Sequence, residues 1–238
     1  MSESIFAPFC RVELRTTDVN AARAFYATLF GHDRAAIWLL HEQARARGAV
    51  PHWLGHINVG DTARLAAVTN EFVTRGAVQL GPALATDDRG HFTVLRDPGG
   101  AIVALAAPPQ PGSAPVLEVA WSVLNTNNVA VARANYRALF GWDIAESATV
   151  GPHGAYHEFS SSAAASARVG ALADIAGRPG VHAHWLYFFR TESLDDAVAA
   201  TRRAGGTALD LTPGPSGARI AVCEDPQGAA FGLIERHE

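Results

Sequence analysis

Apolar residues recur at helical spacing in two stretches of this chain, and the second repeats the first. The earlier one is Asp18-Val-Asn-Ala-Ala-Arg-Ala-Phe-Tyr-Ala-Thr-Leu-Phe-Gly-His32; the later is Asn128-Val-Ala-Val-Ala-Arg-Ala-Asn-Tyr-Arg-Ala-Leu-Phe-Gly-Trp142. At an offset of 110, eight of the fifteen positions are identical, where ordinary residue usage would give about one. Each stretch has an Asp or Asn in the N-cap place, apolar residues at the positions of Val19, Ala22, Tyr26, Leu29 and Phe30, and a Gly after the last turn. Both are therefore expected to be amphipathic helices, over about 19–30 and 129–140. An alternating run precedes each, Phe9 to Arg15 and Val116 to Asn125, and reads as a strand.

A second echo follows. His52-Trp53-Leu54 matches His184-Trp185-Leu186, each opening a strand (to Val59 and to Thr191) and then a helix, Thr62 to Arg75 and Leu194 to Ala204, that stops at glycine. Two strands joined by a tight turn close each half. Asp97-Pro98-Gly99-Gly100 joins Phe92–Leu95 to Ala101–Ala106, and Asp225-Pro226-Gln227-Gly228 joins Arg219–Cys223 to Ala229–Ile234. The halves differ between first helix and second module. From Gly141 to His184 there is room for strands at Asp143–Ala148, Ala155–Ser160 and Val169–Ile175; from Gly31 to His52 there is room only for Ala35–Leu40 and the helix-prone Glu42–Arg47. The first half is expected to lack a β-hairpin. The proline-rich stretch around 108–115 divides a first domain, 1–107, from a second, 116–238.

Composition narrows the function. A formal net charge of −4 disfavours nucleic acid. All 19 basic residues are Arg, which excludes lysine Schiff-base chemistry and a P-loop. No apolar run is long enough for a membrane helix and no secretory signal is visible, so the expected compartment is the cytoplasm. Cys10 and Cys223 form no disulfide framework, and Cys10 shares strand parity with the apolar Val12 and Leu14, as a structural thiol would.

The helix signature ending Phe-Tyr-x-x-Leu-Phe-Gly, the Asp-Pro-x-Gly turn before a last strand, and two βαβββ-like modules per half resemble the vicinal oxygen chelate superfamily, which includes glyoxalase I, extradiol dioxygenases and bleomycin-resistance proteins. The resemblance covers nearly the whole chain. It is closest to two-domain glyoxalase-like or hydroxylase-like members whose first strand reads Trp-x-Glu-Leu-x-Thr-x-Asp. Val12-Glu13-Leu14-Arg15-Thr16-Thr17-Asp18 keeps most of that pattern with Arg11 at the Trp position, while the second half keeps Trp121 and has Val123 for Glu. The resemblance implies an α+β fold of tandem domains, each of paired βαβββ modules with mixed sheets curled into a cup. It also implies three metal positions per domain. These fall on Arg11, Leu54 and Ala104, and on Trp121, Leu186 and Gly232, none of them a metal ligand, so no metal and no cofactor is expected. His182 and His184 lack a third ligand, and the adjacent His157 and Glu158 point to opposite faces of a strand.

Strand parity sets Arg11, Glu13 and Arg15 opposite Val12 and Leu14, and sets His56 on the face of Leu54. By the superfamily geometry Glu13 and His56 then meet in the first cup near Arg11, either as an acid/base pair or as a polar network that satisfies only itself. His91 is a further candidate. The second cup is expected to be aromatic, lined by Trp121 and Phe188 with Tyr156 and Glu158 from a neighbouring strand; Trp53 and Trp185 join these as candidate ligand contacts, with domain packing as the alternative. The expected functions are a metal-independent isomerase, lyase or cyclase acting on an oxygenated ring-containing metabolite, a binding or sequestration protein for an aromatic metabolite, or a metal-dependent glyoxalase- or dioxygenase-like enzyme with non-standard ligands. The expected partner is a small molecule, with a homodimer left open.

Overall fold

The computed structural model describes residues 9–32, 34–108, 117–151, 154–162 and 167–235. The proline-rich 109–116 lies outside the described residues. In chain order the first half contains β1 (Phe9–Thr16), α1 (Val19–Phe30), β2 (Ile37–Leu39), α2 (Glu42–Ala46), β3 (His52–Asn58), α3 (Thr62–Thr74), β4 (Val78–Gln79), β5 (Leu84–Thr86), β6 (Gly90–Arg96) and β7 (Ile102–Ala107). The second contains β8 (Val119–Thr126), α4 (Val129–Phe140), β9 (Asp143–Ile144), β10 (Thr149–Gly151), β11 (Gly154–Ser160), β12 (Gly170–Asp174), β13 (His184–Thr191), α5 (Leu194–Arg203), β14 (Thr207–Ala208), β15 (Thr212–Pro213), β16 (Arg219–Glu224) and β17 (Ala230–Glu235). The fold is α+β, with two mixed sheets of seven and ten strands. None of the described helices is long and apolar enough to cross a membrane.

The repeated helices form for the reasons their sequences give. Asp18 and Asn128 accept hydrogen bonds from the backbone N–H of Ala21 (2.9 Å) and Val131 (3.0 Å), satisfying an otherwise orphaned donor at each start. Gly31 and Gly141 end them at φ 71° and 70°, a left-handed conformation that a side chain disfavours. The expected hairpin difference is present. β10 and β11 pair antiparallel and β11 lies against β12, whereas the first half passes from β2 through α2 to β3.

Two compact units divide the chain, and each draws a module from both halves. The first comprises the described residues among 1–11, 55–114 and 122–185; the second, those among 12–54, 115–121 and 186–238. In the first unit β3 pairs parallel with β7 (His56 opposite Ala104), β6 pairs antiparallel with β7, and β12 pairs parallel with β8. Helix α3 packs on β6 and β7 and against α4, with Phe72, Leu95, Val103 and Leu105 fully buried. In the second unit β2 pairs parallel with β1, β17 lies between β13 and β16, and α1 packs against α5.

One device recurs in both units. The buried Tyr26 on α1 donates its hydroxyl hydrogen to Asp225 Oδ2 (3.1 Å) and accepts from the indole N–H of Trp53 (3.1 Å). Tyr136 on α4 likewise donates to Asp97 Oδ2 (3.2 Å) and accepts from Trp185 (3.3 Å). The other oxygen of each Asp holds its own turn, accepting from Ala229 N and Ala101 N at 2.9 Å. The Tyr of the helix signature and the Asp of the Asp-Pro turn are thus two ends of one contact, formed between opposite sequence halves.

Candidate functional site

On β1 the side chain of Glu13 is fully buried between Val12 and Leu14, and the guanidinium of Arg15, two residues on and therefore on the same face, donates to its Oε1. His52 opens β3. Its Nδ1 lies 2.7 Å from the Val50 carbonyl, a contact only an N–H can make favourably, so the proton sits on Nδ1 and Nε2 is the basic nitrogen. Burial pushes the His52 pKa down; the Val50 carbonyl opposes that, Arg15 adds to it, and Glu13 opposes it. Glu13 and Arg15 form an ion pair within the second unit, and both act electrostatically on His52.

His56 and Arg11 belong to the first unit. The His56 ring is buried 5.3 Å from the Phe92 ring centroid, and its carbonyl accepts from the Cys10 thiol at 3.2 Å. Arg11 reaches Asp88 Oδ2 at 3.3 Å, and Arg89, itself 3.6 Å from Asp88, lies 4.7 Å over the Phe92 ring. His91 is exposed on β6. Burial pushes the Cys10 thiol up to about 11 and the Cys223 thiol up to about 12, which leaves both protonated and unreactive at neutral pH.

The equivalent positions of the second half carry different chemistry. Val123 stands in place of Glu13 and Asn125 in place of Arg15, and Asn125 Nδ2 meets His184 Nε2 at 3.3 Å. His184, the counterpart of His52, gives its Nδ1 proton to the His182 carbonyl at 2.8 Å, and burial pushes its pKa down. Phe188 replaces His56 and lies over Gly232, where an added Cβ would come within 2.1 Å of the ring. Trp121 and Phe188 are buried; Tyr156 and Glu158 are half-buried on β11, opposite Ala173 and Ala171 of β12. Trp53 and Trp185 are buried with their indole N–H groups committed to Tyr26 and Tyr136.

The parity argument that picked out Glu13 and Arg11 also put Arg15 on their face without naming it as the partner of Glu13. The matched His52 and His184 were visible as a repeat, but no spacing rule marked their shared Nδ1 contact. Asp88 and Arg89 carried no signal.

The donor set does not fit the divalent metal of the superfamily. Its six positions hold Arg11, Leu54, Ala104, Trp121, Leu186 and Gly232, the last covered by Phe188. Among the described residues, no three His, Cys, Asp or Glu side chains are grouped to hold a metal ion.

Known proteins resemble this chain along its length. A glyoxalase-like domain model matches residues 121–234. "Putative glyoxylase CFP32" of Mycobacterium bovis is 30% identical over 250 residues, covering 94% of this chain and 93% of that protein. "Anthracycline biosynthesis protein DauV" of Streptomyces sp. (strain C5) is 25% identical over 176 residues, covering 72% of this chain and 62% of that protein. Among solved structures, the 2,3-dioxygenase LapB from Pseudomonas sp. KL28 superposes with a TM-score of 0.66 at 14% identity, covering 99% of this chain and 94% of that one. The chain belongs to the vicinal oxygen chelate superfamily, as a glyoxalase-like member with two sequence-related halves.

Proposed function

We propose that this protein is a metal-independent enzyme that moves a proton on an oxygenated, ring-containing small metabolite, with an isomerase, lyase or cyclase outcome and Glu13 as the base. The observation that carries this is the Glu13–Arg15 pair. A fully buried carboxylate costs several kcal/mol to desolvate even with a partly exposed guanidinium beside it, and apolar replacements of such pairs are often as stable. The repeat supplies that replacement in this same fold, since Val123 and Asn125 stand at the two positions. The fold therefore does not require the charges, and a chemical role accounts for them. Arg15 donates to one oxygen of Glu13, a carboxylate can take a proton beside a ring oxygen, and His52 offers a second basic nitrogen that feels the charges of both. His56 and Arg11 are the further polar candidates, in the first unit. Similarity to a protein of anthracycline biosynthesis favours an aromatic substrate from secondary metabolism.

The test is to incubate the purified protein, with and without chelator, in small-molecule extracts and follow them by mass spectrometry. One ring-containing compound should be converted equally in both conditions. Glu13→Gln should lower that turnover by about 10²- to 10⁴-fold while retaining the fold, because an amide cannot take the proton. His56→Ala and His52→Gln, run alongside, assign the second proton carrier. A compound that binds and returns unchanged would make this a sequestration protein, and activity lost to chelator and restored by one divalent ion would make it a metalloenzyme; either overturns the proposal.

A further inference from the structure

Among the described residues, the hairpin missing from the first half leaves β2 with a strand on one side only. β2 pairs parallel with β1, Leu14 opposite Ile37, as β12 pairs parallel with β8, Leu124 opposite Leu172; at the offset of the repeat Leu14 and Leu124 coincide, so β2 is the counterpart of β12. The far side of β12 is occupied by β11, antiparallel, with Tyr156 opposite Ala173. β2 ends its sheet.

The backbone of β2 is oriented for a further strand. Leu14 N donates to Ala36 O (2.8 Å) and Leu40 N donates to Thr16 O (2.7 Å), so the even-numbered residues face β1, and the N–H and C=O groups of Ile37 and Leu39 face away from it. The run from Ala35 to Leu40 contains no charge, proline or glycine, the residues that usually protect a sheet edge. Trp38 is 37% exposed and Leu39 60% exposed, large apolar side chains at the end of a sheet.

We propose that β2 is the seam of a homodimer, pairing antiparallel with β2 of a second copy. A strand that pairs with its own copy across a two-fold axis must run antiparallel, the orientation in which β11 covers β12. Centring the axis on Trp38 pairs Ile37 with Leu39 of the other copy twice over, which uses all four outward backbone groups of each strand. It also sets each exposed Leu39 over a buried Ile37 and brings the two Trp38 side chains together on the opposite face. This is the register in which every residue of β2 pairs with a residue of β2 in the other copy. Trp38 stands opposite Arg15 in the β1–β2 register, so the seam borders the candidate site; the proposal is nevertheless tested by association alone, with no reading of turnover.

Sedimentation of the full chain up to about 100 µM should show a reversible dimer. Leu39→Pro removes an outward N–H that β1 does not use, and Leu39→Lys places a charge on the seam; each should weaken dimerisation at least tenfold while circular dichroism stays unchanged. Should Leu39→Pro lose its fold, Leu39→Lys carries the test. Trp38→Cys should crosslink the dimer under mild oxidation, because a non-hydrogen-bonded antiparallel pair sets Cα atoms about 4.5 Å apart, within disulfide reach. The wild type should stay uncrosslinked. A wild type that is monomeric throughout, a dimer insensitive to the Leu39 substitutions, or a Trp38→Cys protein that does not crosslink overturns the proposal.

Discussion

The two halves fill the same positions with opposite chemistry. Arg11, Glu13, Arg15 and His56 of the first half correspond to Trp121, Val123, Asn125 and Phe188 of the second, while His52 and His184 keep the same residue, the same tautomer and the same direction of pKa shift. What both halves share, the capped helices and the Tyr–Asp–Trp contacts, is what the fold needs. What only the first half has is charge, placed where the second half is stable without it. A duplicated protein thus contains its own control, one copy holding Val and Asn where the other holds Glu and Arg.

The sharpest way to break this comparison is to write the second half's residues into the first. Arg15→Asn alone removes the guanidinium that holds a fully buried carboxylate and should cost about 3–5 kcal/mol in urea unfolding. Glu13→Val together with Arg15→Asn should recover most of that loss, to within about 1 kcal/mol of wild type, yet have no turnover. A double variant as unstable as Arg15→Asn would mean that the pair is structural. A smaller effect is expected where the second half is filled. Gly232→Ala forces a Cβ into the Phe188 ring and should cost about 1–3 kcal/mol, whereas the first half already carries a Cβ at the equivalent Ala104. Equal tolerance of alanine at 232 would show that Phe188 moves aside and that the two halves are not distinguished there.

The smallest effect is in the pH dependence that the halves have in common. Folded His52 and His184 titrate below 6.5, so between their folded values and 6.5 the unfolded chain binds more protons and stability falls as pH drops through that window. Asp97 and Asp225 act in the opposite sense, because burial raises their pKa above 3.8, the folded chain binds more protons there, and stability is gained as pH falls. The difference between wild type and a His52→Gln, His184→Gln double variant isolates the histidines. The variant's urea midpoint should drop less between pH 7 and pH 5.5, and an identical drop would show that neither imidazole is held neutral by the fold.

Much of the fold was legible because a repeat needs no propensity scale. Eight identities across fifteen positions located α1 and α4, and 43 positions against 21 exposed the missing hairpin. The strands β4, β5, β14 and β15 are two or three residues long and carry no alternation to detect. Nor does periodicity say which module packs with which; that is decided by contacts such as Tyr26 with Asp225, far apart in the chain. For the site, parity found the face of Glu13 but not the bond from Arg15, since which of two arginines turns toward a carboxylate is set by rotamers and packing.

The Tyr–Asp contacts have a consequence for how the chain is made. Asp97 and Tyr136 are 39 residues apart, so the first unit can close its contact while the protein is still emerging from the ribosome. Tyr26 must wait for Asp225, 199 residues later. Helix α1 is therefore made long before the aspartate that its tyrosine binds, and that contact is a late event in synthesis.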